Sequence, residues 1–348
     1  MTENFVKLIS EVIHMKLLRM FTTLFLAFSV GVVCAENENN KRVIIAVGGK
    51  ATMYYLPLTI AEQKGFFKDE GLDVKILDFP GGSKALQALI GRSADIVSGG
   101  FDHTIMMQTR GQRIKAFLVQ GKTPAISLVI AKKKIDTWEG VSSLKGWKIG
   151  VTSPGSSTNM FVNALLSKAG LSVEDVSIIG VGTGQSAIAA IMAGHIDALA
   201  NVEPAISILL RGSHAREVVE TISEAGSEMV YGASIPSASL YTKESYIDKN
   251  PDIILAVTKA MKKSLAWLQI ATNEEVMEVL PRAYLMNDAA LYSSALTRQR
   301  PNFSESGRFE VDSVEKTLES LAKFNKIDLD NIDLKSTFTN DFVDKSLR

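Results

Sequence analysis

The sequence predicts an α/β protein of two lobes joined by a two-strand hinge, and three observations carry that expectation. From residue 42 onward, short apolar runs alternate with amphipathic stretches, the pattern of successive β-α-β units. The runs are apolar at nearly every position, as in strands of a sheet covered on both faces. The alternation is broken twice, by strand-rich crossings near 121–128 and 229–240, which set one α/β unit inside another.

The elements follow in order. "RVIIAV" reads as a strand, "YYLPLTIAEQKGFFKDEG" as helix and turn, "LDVKILDF" as a strand and "GSKALQALIGRSA" as a helix. "DIVSGG", "HTIMMQTRG" and "IKAFLVQG" continue as strand, helix, strand. "ISLVIAKK" is a further strand, followed by a short helix near "VSSLKG". The alternation restarts at "WKIGVT" and runs through "FVNALLSKAG", "VSIIGV", "SAIAAIMAGH", "DALANV" and "PAISILLRG". Beyond the second crossing the chain is helical from Pro251 to about Phe324, punctuated by Pro281 and Pro301. The expected division is therefore residues 42–124 plus 233–345 in the first lobe and 125–232 in the second, with the tail "FTNDFVDKSLR" compatible with either an ordered or a frayed end.

The N-terminal segment is not expected to join this fold. Lys16 and Arg19 precede the apolar "MFTTLFLAFSVGVV", and "VCA" is followed by the polar "ENENN", the pattern of a secretory signal peptide over residues 1–35 cut after Ala35. The apolar run is short for a membrane-spanning helix, which needs about 20 residues. The segment before Met15 reads as an upstream extension. Lipid attachment at Cys34 is the weaker alternative, because Val33 stands where a small residue is wanted. A periplasmic location follows. Removal of residues 1–35 takes three basic and two acidic side chains and the single cysteine, and shifts the formal net charge from +0 to −1. Such a balance carries no broad electrostatic footprint for nucleic acid. A chain of 348 residues with 46% hydrophobic residues has core enough to fold without disulfides.

Ligands of open α/β sheets sit beyond the carboxyl ends of the strands, and four strand ends here carry unusual residues. After "IIAV" come Tyr54 and Tyr55. After "DIVS" come Gly100, Phe101, His103 and Thr104. After "KIGV" come Gly155, Ser156, Ser157 and Thr158, and after "DALA" come Asn201 and Glu203. The third group opens a helix, whose first N–H groups lack partners within it and favour an anion or an acceptor. Helix capping by Ser156 or Ser157 is the plainer reading of that group, and an N-cap role is the plainer reading of Asp102. The aromatic rings are suited to wall an apolar ligand, and Glu203 is a weaker candidate than Asn201 because a buried carboxylate repels an anion. "GTGQSA" at 182–187 matches a loose dinucleotide pattern but lies inside the second unit rather than in a first β-α-β unit. The histidines lack metal-ligand spacing, and no nucleophile elbow is present. No cofactor, no metal and no catalytic residue is expected.

The blocks "LPLTIAEQKGFFKDEGLDVKI", "FPGGSKALQALIGRSADIVSGG", "LKGWKIGVTSPGSSTNMFVNALLSKAGL" and "IAAIMAGHIDALANVEPA" occur in an order that resembles the nitrate/sulfonate/taurine-type substrate-binding proteins of ABC importers, which share a superfamily with thiamine-precursor-binding proteins. The resemblance covers about 43–345. It implies a type II periplasmic-binding-protein fold and a small-molecule ligand (a sulfonate, a carboxylate or an aromatic, pyrimidine-like compound) trapped between the lobes. It also implies delivery by a monomer to an ABC permease in the inner membrane. The candidate loops hold Lys50 and His103 but no arginine, which departs from the more basic clefts of anion-binding members. An enzyme on the same fold, similar to a pyrimidine-precursor synthase, and a sensory binding domain are the alternatives.

Overall fold

The computed structural model describes residues 40–325 and 332–347. The expected signal peptide, with Cys34 and the cut after Ala35, lies outside the described residues.

Two five-stranded sheets organise the chain. The first takes β1 (Lys41–Val47), β2 (Leu72–Asp78), β3 (Ile96–Gly100) and β4 (Ile114–Val119); the second takes β5 (Ser127–Ala131), β6 (Lys148–Val151), β7 (Ser177–Gly180), β8 (Ala198–Asn201) and β9 (Ala215–Glu220). A tenth strand, β10 (Ala238–Lys243), returns to the first sheet, giving the orders β2-β1-β3-β10-β4 and β7-β6-β8-β5-β9. In each sheet the strand that arrives directly from a crossing lies antiparallel between two others: β10 between β3 and β4, β5 between β8 and β9. The remaining pairs described, β1 with β2 and β3, β6 with β7 and β8, are parallel. The continuous apolar runs of β3 and β5 are buried at every position, as strands covered on both faces require.

The helices that cover these sheets are α1 (Leu56–Gln63), α2 (Phe66–Asp69), α3 (Gly82–Ile90) and α4 (Asp102–Gln108) in the first lobe and α5 (Ser157–Lys168), α6 (Gln185–Met192) and α7 (Ala205–Arg211) in the second. The second crossing begins with α8 (Glu224–Tyr231). The C-terminal third continues as α9 (Glu244–Lys249), α10 (Pro251–Ile270), α11 (Asn273–Val279), α12 (Ala289–Gln299) and α13 (Val311–Asn325), the last packing on α5 of the second lobe as well as on α4 of the first. Its tail is ordered. Phe342 and Val343 of α14 (Asp341–Lys345) are buried, and Thr339 N–H donates to the Ala116 carbonyl.

The two crossings are tied to each other by Ser237 N–H, which donates to the Gly121 carbonyl at 3.1 Å, and the entry to β5 is tied to the end of β9. Ala125 N–H donates to the Thr221 carbonyl and Thr221 N–H to the Ile126 carbonyl, both at 2.9 Å. Thr123 Oγ1 donates to the Ile222 carbonyl at 2.9 Å, and the Asn302 amide oxygen accepts from Thr123 N–H at 2.7 Å. Ala125 holds the left-handed backbone at φ 51°, a conformation a side chain disfavours, so the turn into β5 is held by these bonds and not by local preference.

Candidate functional site

The lobes face each other across a cleft whose walls come from the loops after β1, β2, β3, β6, β7 and β8 and from both crossings. It has two connected chambers. One, of about 330 Å³ of empty space, has Gly48, Thr52, Tyr55 and Gly82 on one side and Thr152, Ser156, Thr158, Thr183 and Val202 on the other. The second, of about 390 Å³, has Phe101 and Asp102 on its wall, with Tyr231 from α8 and Thr317, Ser320 and Leu321 from α13. Tyr54, Ile126 and Ser157 belong to both and form the waist.

The lobes are joined across the cleft by side-chain and main-chain contacts. Ser83 Oγ lies 2.6 Å from Ser153 Oγ and donates to the Pro154 carbonyl at 2.9 Å. Ser157 Oγ donates to Asp102 Oδ1 at 2.9 Å. Met53 N–H donates to the Glu203 carbonyl at 3.0 Å. Arg298 of α12 reaches across to Glu203 Oε1 at 3.0 Å and Glu217 Oε1 at 2.6 Å. Ser83→Ala strips the Ser153 hydroxyl and the Pro154 carbonyl of a buried partner only in the closed form. It is expected to weaken solute binding by roughly 5- to 100-fold, the cost of about 1–3 kcal/mol for an unsatisfied buried group. The unfolding midpoint of the solute-free protein should stay near the wild-type value, and calorimetric titration together with thermal melts checks both.

The loop after β6 answers for part of its own backbone. Gly155, left-handed at φ +80°, gives its N–H to Asn159 Oδ1 at 2.9 Å, and Ser156 N–H donates to the Ser153 carbonyl at 3.1 Å. Ser156 sits at the N-cap position, yet its hydroxyl donates to the Ser153 carbonyl at 2.7 Å instead of capping the helix. Thr158 Oγ1 accepts from Thr152 N–H at 3.0 Å. The N–H groups of Ser157 and Thr158 meet no acceptor among the described residues.

The other sequence-derived candidates divide. Tyr54 and Tyr55 stand in the cleft, with centroids 4.7 Å apart and nearly perpendicular; burial pushes both phenols above their ordinary range, and the Asp102 charge adds to it. Phe101 lines the second chamber and packs on Phe309 at 5.0 Å. Gly100 carries no side chain where Ser157 Oγ and Asp102 Oδ1 meet, and a Cβ there would overlap both. Asp102 is not an N-cap: it occupies the first position of α4, and its Oδ1 accepts from Ser157 and from the next N–H in the chain.

His103 is buried behind Gly82, where a Cβ would lie 3.2 Å from its Cε1, and its Nδ1 is 2.9 Å from the Tyr241 hydroxyl. Burial pushes its pKa down against the opposing pull of Asp102 and the Gly155 carbonyl, although Nε2 makes no hydrogen bond. It opens on a separate groove beside Ser83 and Gly155. The Thr104 hydroxyl is spent on the Phe101 carbonyl at 2.8 Å. Asn201 turns to its own loops, donating to the Gly182 carbonyl and accepting from Val202 N–H. Glu203 accepts from Ser207 N–H and hydroxyl as well as from Arg298; burial raises its pKa despite these partners.

The wall also contains residues that sequence reasoning passed over. Gly82 and Thr183 stood in "FPGGSK" and "GTGQSA", the latter set aside as a nucleotide pattern. Tyr231 gave no signal of its own, because only the second crossing carries it to the cleft.

A family model described as NMT1/THI5 like matches residues 52–274, more than half of the chain. The chain belongs to the NMT1/THI5-like family. YtlA of Bacillus subtilis (strain 168), named as a binding protein without a stated ligand, is 24% identical over 287 residues, covering 82% of this chain and 83% of YtlA. The 4-amino-5-hydroxymethyl-2-methylpyrimidine phosphate synthase THI12 of Saccharomyces cerevisiae is 25% identical over 256 residues, 71% of this chain and 73% of its own. A solved protein from Bordetella bronchiseptica RB50 is 43% identical, with a TM-score of 0.86 over 88% of this chain and 97% of that one. The alkanesulfonate-binding protein SsuA from Xanthomonas axonopodis pv. citri, bound to MOPS, shares the fold with a TM-score of 0.65 at 19% identity, over 88% of this NMT1/THI5-like chain and 97% of SsuA. Two α/β lobes on a two-strand hinge are thus the periplasmic-binding-protein fold.

Proposed function

We propose that this chain is an extracytoplasmic solute-binding protein that traps a small molecule between its lobes and hands it to an ABC importer in the inner membrane, acting as a monomer exported by its signal peptide. The candidate classes are a sulfonate, a carboxylate or an aromatic, pyrimidine-like compound. The observation that carries the reading is the lobe-to-lobe bonding around a polar and aromatic cleft: Ser83 to Pro154 and Ser157 to Asp102 close on either side of the space lined by Tyr54 and Tyr55. Closure about a hinge expels water, so a few fixed donors and aromatic faces suffice for affinity.

The kinship with THI12 favours one rival, an enzyme on the same fold. Against it, the side chains that the described residues place on the cleft wall are hydroxyls, phenols, apolar groups and one carboxylate, with no histidine, lysine or cysteine. Calorimetric titration against a panel of small sulfonates, carboxylates and aromatic compounds tests the proposal. At least one is expected to bind at one site per chain, unchanged in mass when recovered, and to bind at least tenfold more weakly to Tyr54→Ala. A folded protein that binds none of them, or that converts one, overturns it.

A further inference from the structure

Asp102 is the only charged residue on the wall of either chamber among the described residues. Its Oδ1 is occupied by Ser157 and His103 N–H, while its Oδ2 accepts no hydrogen bond and no cation pairs with it. The basic side chains on adjoining segments are spent elsewhere: Lys50 on Glu62 at 2.6 Å, Arg298 on Glu203 and Glu217. Asp102 is only half-buried, and a guest that displaces the remaining water from its free oxygen must supply a partner or leave the charge unpaired at a cost. Three aromatic side chains line the same chamber: Tyr54, Phe101 and Tyr231. Such faces favour planar groups and cations and disfavour anions. The Ser320 hydroxyl, buried in the same wall, also has no partner. The reach of the Asp102 charge is visible in Tyr54, Tyr55, Tyr231 and Tyr241, all of which it makes harder to ionise.

We infer that the solute carries no net negative charge and presents a hydrogen-bond donor, neutral or cationic, to the free oxygen of Asp102 from a planar or aromatic body held between Tyr54 and Tyr231. This deepens the trap reading and rests on it. An anion seated at the open N–H groups of Ser157 and Thr158 would face Asp102 across the Ser157 hydroxyl, so the carboxylate of the protein itself already answers the positive end of α5. The cleft has the fold of anion-binding SsuA and the opposite charge preference.

The test uses four ligands with one p-tolyl body and different heads: 4-methylbenzamidine, 4-methylbenzamide, 4-methylbenzoate and toluene-4-sulfonate. On the full mature chain, calorimetry is expected to place the amidine and the amide at least tenfold tighter than the two anions, with the amidine weakening as salt rises. Asp102→Asn is expected to remove the amidine's advantage over the amide. The wild-type order needs no variant, so it stands as a test even if Asp102→Asn folds poorly. If either anion binds tightest, the inference is overturned while the trap stands. If the four fail and a wider panel yields a solute, a net anion overturns the inference and a neutral or cationic solute supports it. If nothing binds, the trap itself falls, and this inference with it.

Discussion

Arg298→Ala is expected to shift the protein from closed toward open and to weaken solute binding by roughly a hundredfold. Arg298 is the only cation that the described residues place on Glu203, whose carboxyl is fully buried, and it also holds Glu217 at 2.6 Å. Breaking such a pair from one side leaves a buried carboxylate with no counter-charge and only its Ser207 hydrogen bonds, which costs about 3 kcal/mol. Opening relieves the cost, because water then reaches the carboxylate, so the loss is expected in the closed population and in affinity more than in the unfolding midpoint. Small-angle scattering at a solute concentration that closes the wild type should give a larger radius of gyration for the variant; equal radii and equal affinities would contradict the latch.

The same carboxyl makes a pH prediction. Burial raises the Glu203 pKa above its ordinary value, so the folded state holds this proton more tightly than the unfolded chain. Its contribution to stability is therefore full below the ordinary glutamate range and is lost as pH rises through the raised value. Glu203→Gln, which cannot ionise, removes that dependence. The stability of the wild type relative to Glu203→Gln is expected to fall as pH climbs from about 4 toward neutrality, as measured by urea melts; a difference that grows in favour of the wild type would show that the Arg298 attraction outweighs burial.

Gly48→Ala is the second large effect. A Cβ at this position would overlap Gly82 N and Gly81 C and lie 2.7 Å from Gly82 Cα. These are backbone atoms, so no rotamer change relieves the overlap. The end of β1 and the start of α3 must separate, at a cost of about 1–3 kcal/mol or more. Both Gly48 and Gly82 line the first chamber, and Ser83 next along carries the bond to Pro154. Lower stability is therefore expected together with a loss of solute affinity of at least a hundredfold. Thermal melts and titration check the two, and a variant with wild-type affinity would mean that solute sits elsewhere.

How much of this was legible in the sequence follows from the range of the interactions. The parallel strands and their helices are local patterns; the crossings near 121–128 and 229–240 read as strands, but only their far ends are, where β5 starts at Ser127 and β10 at Ala238, and the second opens on helix α8. The antiparallel placement of β5 and β10 was not legible, because it depends on which strands each meets after crossing. The helix start at Ser156 could be read; what its neighbours do could not. Gly155 turns its N–H to Asn159 within one turn, a competition no composition argument reveals, and Asp102 comes to Ser157 from 55 residues away. Glu203 ranked below Asn201 because a buried carboxylate repels an anion; that it pairs with Arg298 was not legible, because Arg298 stands 95 residues downstream in a helical stretch with no motif.

The central claim is that the lobes close on a solute held in the cleft. With the single cysteine, Cys34, replaced by serine, Lys84→Cys on α3 and Gln185→Cys on α6 can carry paired spin labels, one on each lobe. The account predicts that a bound solute shortens and narrows the distance between the labels, and that Gly48→Ala abolishes the change. A solute that binds tightly while the distance distribution stays as it was would contradict it.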